Sequence, residues 1–194
     1  MNFARYAAPV ALALSVSACG INTIPTYEEE AKARWADVQA AYQRRADLIP
    51  NLVETVRGFA NQEREVLTQV TQARASATQV QVSPEQLSDP AAVQQFQQAQ
   101  GALSGALGRL LVTVEKYPDL RSQENFLALQ SQLEGTENRI NVAIRDYNEA
   151  VRQYNTEVRT FPGVIGAKVI HGAKPLTPYQ AVTPGADRAP AVKF

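Results

Sequence analysis

Val16-Ser17-Ala18-Cys19 places the only thiol of the chain directly behind one β-branched and two small residues. A thiol there can receive a diacylglycerol, and small side chains let a peptidase reach the bond before it. Upstream, a weakly basic start (Met1, Arg5) leads into an apolar run from Ala7 to Val16. This is the charged, apolar, small-residue order of an export signal. The run is about ten to twelve residues long, short of the ~20 that cross a bilayer as a helix. The sequence thus predicts a lipoprotein signal over 1–18 and a mature chain that starts at acylated Cys19, its partner being membrane lipid. Several acyl chains hold where a single one is marginal. The competing reading is an ordinary cleaved signal or an uncleaved anchor. Gly20, not Asp, after the cysteine favours the outer membrane in a two-membrane host, with the domain in the periplasm. With no second cysteine there is no intrachain disulfide.

Other residues that could do chemistry lie inside long helical patterns. Arg44, Arg45, Asp47 and Asn51 bracket Pro50. A proline inside a helix removes one backbone donor and frees the carbonyl four residues back, here that of Ala46. Long polar side chains can satisfy it. Arg45 falls on the apolar stripe, where an unpaired charge is costly, so Asp47 or a carboxylate of another helix should pair with it. The cluster is read either as a hydrogen-bonded plug or as a docking surface for a protein or lipid headgroup. Glu134-Gly135-Thr136-Glu137-Asn138-Arg139 is a second polar cluster, with Gly135 read as a point of close backbone approach. Bundles hold metals with Glu-x-x-His pairs; Glu134-x-x-Glu137 lacks the histidine, so helix packing and ion pairing are expected and no metal or other cofactor. His171 is the single histidine and lies in a proline-rich tail, a surface position rather than a base. No enzyme is predicted. Tyr147 and Tyr154, seven apart, are read as core.

The positioning elements follow from periodicity. Nineteen basic and nineteen acidic residues leave no net charge, and no basic stripe for nucleic acid is present. Residues 19–27 read as a tether. From Glu28 to Ala77, apolar residues such as Trp35, Val38, Tyr42, Ile49, Leu52, Val56, Phe59, Val66, Val70 and Ala73 recur at steps of three and four, the mark of an amphipathic helix. The phase runs through Pro50 unshifted, which favours one kinked helix over two. About fifty residues at ~1.5 Å each make a rod of ~75 Å. Ser83-Pro84 and Asp89-Pro90 look like caps followed by proline at the first helical position. A second helix is expected from Pro90 to Lys116, with Gly101, Ser104, Gly105 and Gly108 read as allowing tight packing, and Tyr117-Pro118 stops it. From Ser122, a third seam has Phe126, Leu133, Ile140, Tyr147, Tyr154 and Phe161 at every seventh position, which implies a supercoiled partner. After Pro162-Gly163, Val164–Ile170 is apolar enough to dock, and the rest of the 164–194 tail reads as extended or mobile. The fold class is all-α: an elongated antiparallel bundle of three to four helices over 28–163 with a long kinked first helix. Its seams can close within one chain or between two copies in a homo-oligomer.

Three stretches carry a resemblance. They are Trp35-x-x-Val38 with Arg44-Arg45-Ala46-Asp47-Leu48-Ile49-Pro50-Asn51-Leu52-Val53 and Val56-Arg57-Gly58-Phe59; Arg109-Leu110-Leu111 with Glu115-Lys116-Tyr117-Pro118-Asp119-Leu120; and Glu124-Asn125-Phe126 through Leu133-Glu134-Gly135-Thr136-Glu137-Asn138-Arg139-Ile140 to Tyr147-Asn148 and Tyr154-Asn155. Together they resemble the LemA family over about residues 28–163. The resemblance implies a bacterial protein attached to a membrane at its N-terminus and folded as a long antiparallel helical bundle. Gln62 stands where relatives often carry histidine before the position of Glu63, which argues against a metal or acid/base role there. Arg121-Ser122-Gln123 replaces a lysine-containing step. The expected function is a non-enzymatic envelope scaffold or adaptor for other envelope proteins, or else a membrane-binding or remodelling module.

Overall fold

The computed structural model describes residues 22–60 and 62–180. Helix α1 spans Thr23–Phe59 and α2 spans Arg64–Gln79. A 3₁₀ turn, Pro84–Ser88, leads to α3, Pro90–Val114. The short α4, Pro118–Arg121, precedes α5, Glu124–Arg159. Helical turns α6, Gly163–Gly166, run on through Ala167–His171, and an extended strap covers 172–180. Among the described residues the fold is all-α.

Helix α1 begins at Thr23 rather than after a tether ending at 27. Pro25 sits in its first turn, where a missing N–H leaves nothing unsatisfied, and Ile24 is buried. The helix passes unbroken through Pro50. It does not reach Ala77, however. It ends at Phe59, where Ala60 leaves helical geometry at φ −128°, ψ 54°. Phe59 is exposed, and α2 turns back along α1. The apolar phase survives the turn because both helices show their stripe to the same core, so a phase reports a face and not chain continuity. At ~1.5 Å per residue the 37 residues of α1 reach about 55 Å.

Asp89 caps α3 as expected, its side chain accepting from the Ala91 N–H at 2.9 Å. Ser83 and Gln86 form a capping box. Ser122 does not cap α5, which starts after Gln123. Ser122 Oγ donates instead to the Asp119 carbonyl at 3.0 Å.

Helices α1 and α5 pair antiparallel along their length. Trp35 meets Tyr147 at 5.0 Å between ring centroids, and ten residues onward Arg45 meets Glu137, ten residues earlier on α5. The α5 seam is buried from Phe126 to Tyr154, but Phe161 lies beyond the helix end and is 75% exposed. Two apolar clusters form the core. One gathers Trp35, Tyr42, Phe96, Ile140, Tyr147 and Tyr154. The other gathers Ile49, Leu52, Leu103, Leu110, Leu120 and Phe126. Arg45 lies between Tyr42 of the first and Ile49 of the second.

Candidate functional site

The residues around Pro50 separate into different environments. Arg45 is 1% exposed. Its Nη1 donates to Glu137 Oε1 at 2.7 Å and Ser104 Oγ at 2.8 Å. Its Nη2 donates to the Gln100 side-chain and backbone oxygens at 2.9 and 3.3 Å. The guanidinium also lies 4.9 Å from the Tyr42 ring centroid. One cation thus joins α1, α3 and α5 at the boundary of the two apolar clusters; four acceptors on its terminal nitrogens offset much of the loss of water, while the buried Nε has no hydrogen-bond partner among the described residues. Asp47 does not join it; its carboxylate is exposed and accepts from Gln43 at 2.7 Å. The Ala46 carbonyl freed by Pro50 accepts from Arg74 Nε of α2 at 2.8 Å, a residue 28 positions away. Arg44, Pro50 and Asn51 are exposed. Arg44 lines a shallow hollow with Val142 and Ala143, and the Asn51 carbonyl accepts from Thr55. Cys19 lies outside the described residues.

Glu134, three residues before Glu137, is exposed and accepts from Gln130. Nothing approaches where a Cβ would stand on Gly135, Gly101 or Gly108, so the expected close helix contacts do not form there. The small residues of α3 leave an open cleft against α5 instead. It holds about 590 Å³, with Arg45, Gln100, Gly101, Glu137, Asn141 and Tyr179 on its walls. At Ser104 and Glu137 it meets a second hollow of about 260 Å³ that reaches Leu111 and Gln130. Gln62 donates to the Tyr117 hydroxyl, which in turn donates to Glu63, clasping the α1–α2 turn to the end of α3. His171 is exposed. Among the described residues no three His, Cys, Asp or Glu side chains converge as metal ligands, and no helix is long and apolar enough to cross a membrane.

The tail after the last helical turns is extended, one of the two expectations for it; that it docks on the bundle is what sequence reasoning missed. The Asn155 amide brackets Leu176, donating to its carbonyl and accepting from its N–H, both at 2.8 Å. Asn148 does the same for Tyr179, at 2.9 and 2.7 Å. Between them Tyr147 Oη donates to the Thr177 carbonyl at 2.8 Å, while the Thr177 N–H donates to the Leu87 carbonyl. Three residues of extended chain rise about 10 Å and seven residues of helix about 10.5 Å. Asparagines seven apart on a helix therefore read every third residue of a strand. Leu176 and Tyr179 are buried, so the tail through 180 is docked rather than loose. The available signal was asparagine at heptad spacing beside core tyrosines, opposite apolar residues every third position in the tail. Asn141 continues the series, seven before Asn148, at the cleft wall beside Tyr179.

The Tyr42 and Tyr179 hydroxyls share a hydrogen bond at 2.5 Å. Burial raises both pKa values, and the neighbouring Arg45 lowers each in part. Burial alone raises that of Tyr147. On the surface, hydrogen bonds from Arg152 and Gln153 lower Glu149 to about 2. These shifted groups are thus buried phenols, which tie the strap to the bundle, and a solvent-facing ion pair within α5.

The sequence is similar to several known proteins. The chain is 27% identical over 157 residues to Magnetosome protein MamQ 2 of Paramagnetospirillum magneticum, covering 73% of this chain and 58% of that protein. It is 28% identical over 127 residues to Protein LemA of Metamycoplasma hominis, covering 64% and 52%. Magnetosome protein MamQ of Magnetospirillum gryphiswaldense is 25% identical over 181 residues, covering 79% and 66%. The chain thus spans between half and two thirds of the length of these relatives. The profile of the LemA family matches residues 34–194, and the chain belongs to the LemA family.

Proposed function

We propose that this protein is a lipid-anchored, non-enzymatic scaffold of the cell envelope, held to the membrane through acylated Cys19 with its bundle in the periplasm. In this reading it takes an extended segment of an envelope partner into the cleft between α3 and α5. The observation that carries it is the strap. The bundle already holds one extended segment by its backbone, with Asn148 and Asn155 as readers. Past Tyr179 the same groove stays open among the described residues, with Asn141 at the next heptad position and Gly101 and Gly105 leaving space opposite. Recognition of main chain gives affinity without demanding one sequence, which suits an adaptor. The buried Arg45 cluster fixes the register of the three helices that form the walls.

The test is photo-crosslinking in living cells, with the reactive group at Asn141 or Gly105 in the cleft and at Arg44 or Asn51 on the outer face of α1. A discrete envelope-protein adduct from the cleft positions is the expected result. Adducts confined to the chain's own residues, or to the α1 face, would overturn the assignment of the cleft.

A further inference from the structure

Four large apolar side chains stand in water within ten residues: Phe161 at 75% exposure, Ile165 at 53%, Val169 at 78% and Ile170 at 56%. Ile165 and Val169, four residues apart in the consecutive helical turns of 163–171, share one side, and Phe161 stands in the turn just before them. The opposite side of the same turns, Gly163, Gly166 and Ala167, is buried against the bundle. Gly163 is seated so closely that a Cβ there would lie 2.5 Å from the Glu157 carbonyl oxygen. The segment is therefore held with its apolar edge facing outward. The same stretch carries exposed Arg159, Lys168 and Lys174 and no carboxylate from Val158 to Gln180; the neighbouring Glu157 packs its side chain against Gly163, on the buried side of the turns. An apolar ridge in a basic stretch suits a lipid interface.

Its place in the fold names what covers it. The α1–α5 register set by Trp35 with Tyr147 and by Arg45 with Glu137 puts Thr23 level with Arg159. Ile24 and Ala167 belong to one core cluster. The ridge is thus at the end of the bundle where α1 begins. Cys19 precedes Thr23 by four residues, within about 14 Å along an extended chain, and the apolar run Ala7–Val16 comes just before it. We propose that Phe161, Ile165, Val169 and Ile170 seat in the near leaflet of the bilayer that holds the N-terminus, with Lys168 and Lys174 against anionic headgroups. Two attachments at one end, the N-terminal anchor and this ridge, fix the bundle's angle to the membrane and lift the turn after Phe59 about 50 Å away from it. This proposal rests on the anchored N-terminus of the reading above, but not on the adaptor role.

The full acylated chain is placed in vesicles of phosphatidylethanolamine and phosphatidylglycerol. A single environment-sensitive fluorophore is carried by Ile165→Cys, Val169→Cys or Val112→Cys. Val112 is 67% exposed on α3, near the opposite end of the bundle. Lipids carrying a shallow nitroxide quencher should remove most of the emission at 165 and 169 and leave 112 unchanged. Flotation is read on the same samples. Co-flotation without quenching at 165 and 169 would overturn the ridge and leave the anchor standing. Loss of co-flotation would overturn the anchor and the ridge with it. A blue shift at 169 without lipid quenching would mean that protein, a second copy included, covers the ridge, and would also overturn the proposal. In Phe161→Ser with Val169→Ser, both exposed, the quenching at 165 should fall several-fold with the circular dichroism unaltered.

Discussion

Asn155→Ala removes both hydrogen bonds that bracket Leu176. Each such bond is worth about 0.5–1.5 kcal/mol net, so strap closure should weaken by about 2 kcal/mol. The remaining ties are the Asn148 pair, Tyr147 to Thr177, Thr177 to Leu87, and the buried Leu176 and Tyr179 side chains. If the strap opens as its own unit, amide exchange at Leu176 and Tyr179 should quicken by roughly 30-fold, since about 1.4 kcal/mol is a factor of ten. Amides in the middle of α3 and α5 should keep their protection, and global melting should move little. Asn155→Asp keeps an acceptor for the Leu176 N–H and loses the donor to its carbonyl, so it should produce about half the effect in free energy. Hydrogen exchange read by mass spectrometry or NMR measures all of these positions together. Unchanged exchange at Leu176 in Asn155→Ala would refute the reasoning that the asparagine amides hold the strap. Uniformly faster exchange through α3 would refute its independence from the bundle.

Three further outcomes are expected. Arg74→Ala should cost about 1–2 kcal/mol in denaturant unfolding by leaving the Ala46 carbonyl without its donor. The same change in a Pro50→Ala background should cost less, because alanine in place of the proline returns a helical N–H to that carbonyl; an equal cost in both backgrounds would dissociate Arg74 from the proline. Glu137→Ala should cost about 1–3 kcal/mol, discounted because the carboxylate is 48% exposed while Arg45 is 1% exposed. Glu137→Gln, which still offers Arg45 an oxygen, should cost less, and the order of the two in denaturant midpoints checks the pair. Tyr42, Tyr147 and Tyr179 have pKa values raised by burial, so the folded state favours neutral phenols. Their contribution is present in full below the ordinary tyrosine value of about 10 and is lost as pH rises above it. Stability should fall in alkali with the strap released first, and Tyr179→Phe should flatten part of that fall.

The seam of Phe126, Leu133, Ile140, Tyr147 and Tyr154 was legible because a seven-residue repeat turns one face of a helix to a partner, and all five are buried. The caps at Ser83 and Asp89 were legible because capping is decided within four residues of chain. The need of Arg45 for a carboxylate, and of the Ala46 carbonyl for a donor, also follows from local chemistry. What local chemistry does not contain is the identity of a partner far along the chain. Glu137 is 92 residues from Arg45 and Arg74 is 28 residues from Ala46; only the packing of α5 and α2 on α1 brings them together. The end of α1 at Phe59 escaped because two antiparallel helices facing one core keep the same apolar phase. The glycines of α3 specify small volume, and whether that volume is filled by a helix or left as a cleft depends on the distance that α5 keeps. Periodicity in a sequence thus fixes which face each helix buries, while the spacing between helices, and with it the cleft and the strap, is set only when all of those faces share one core.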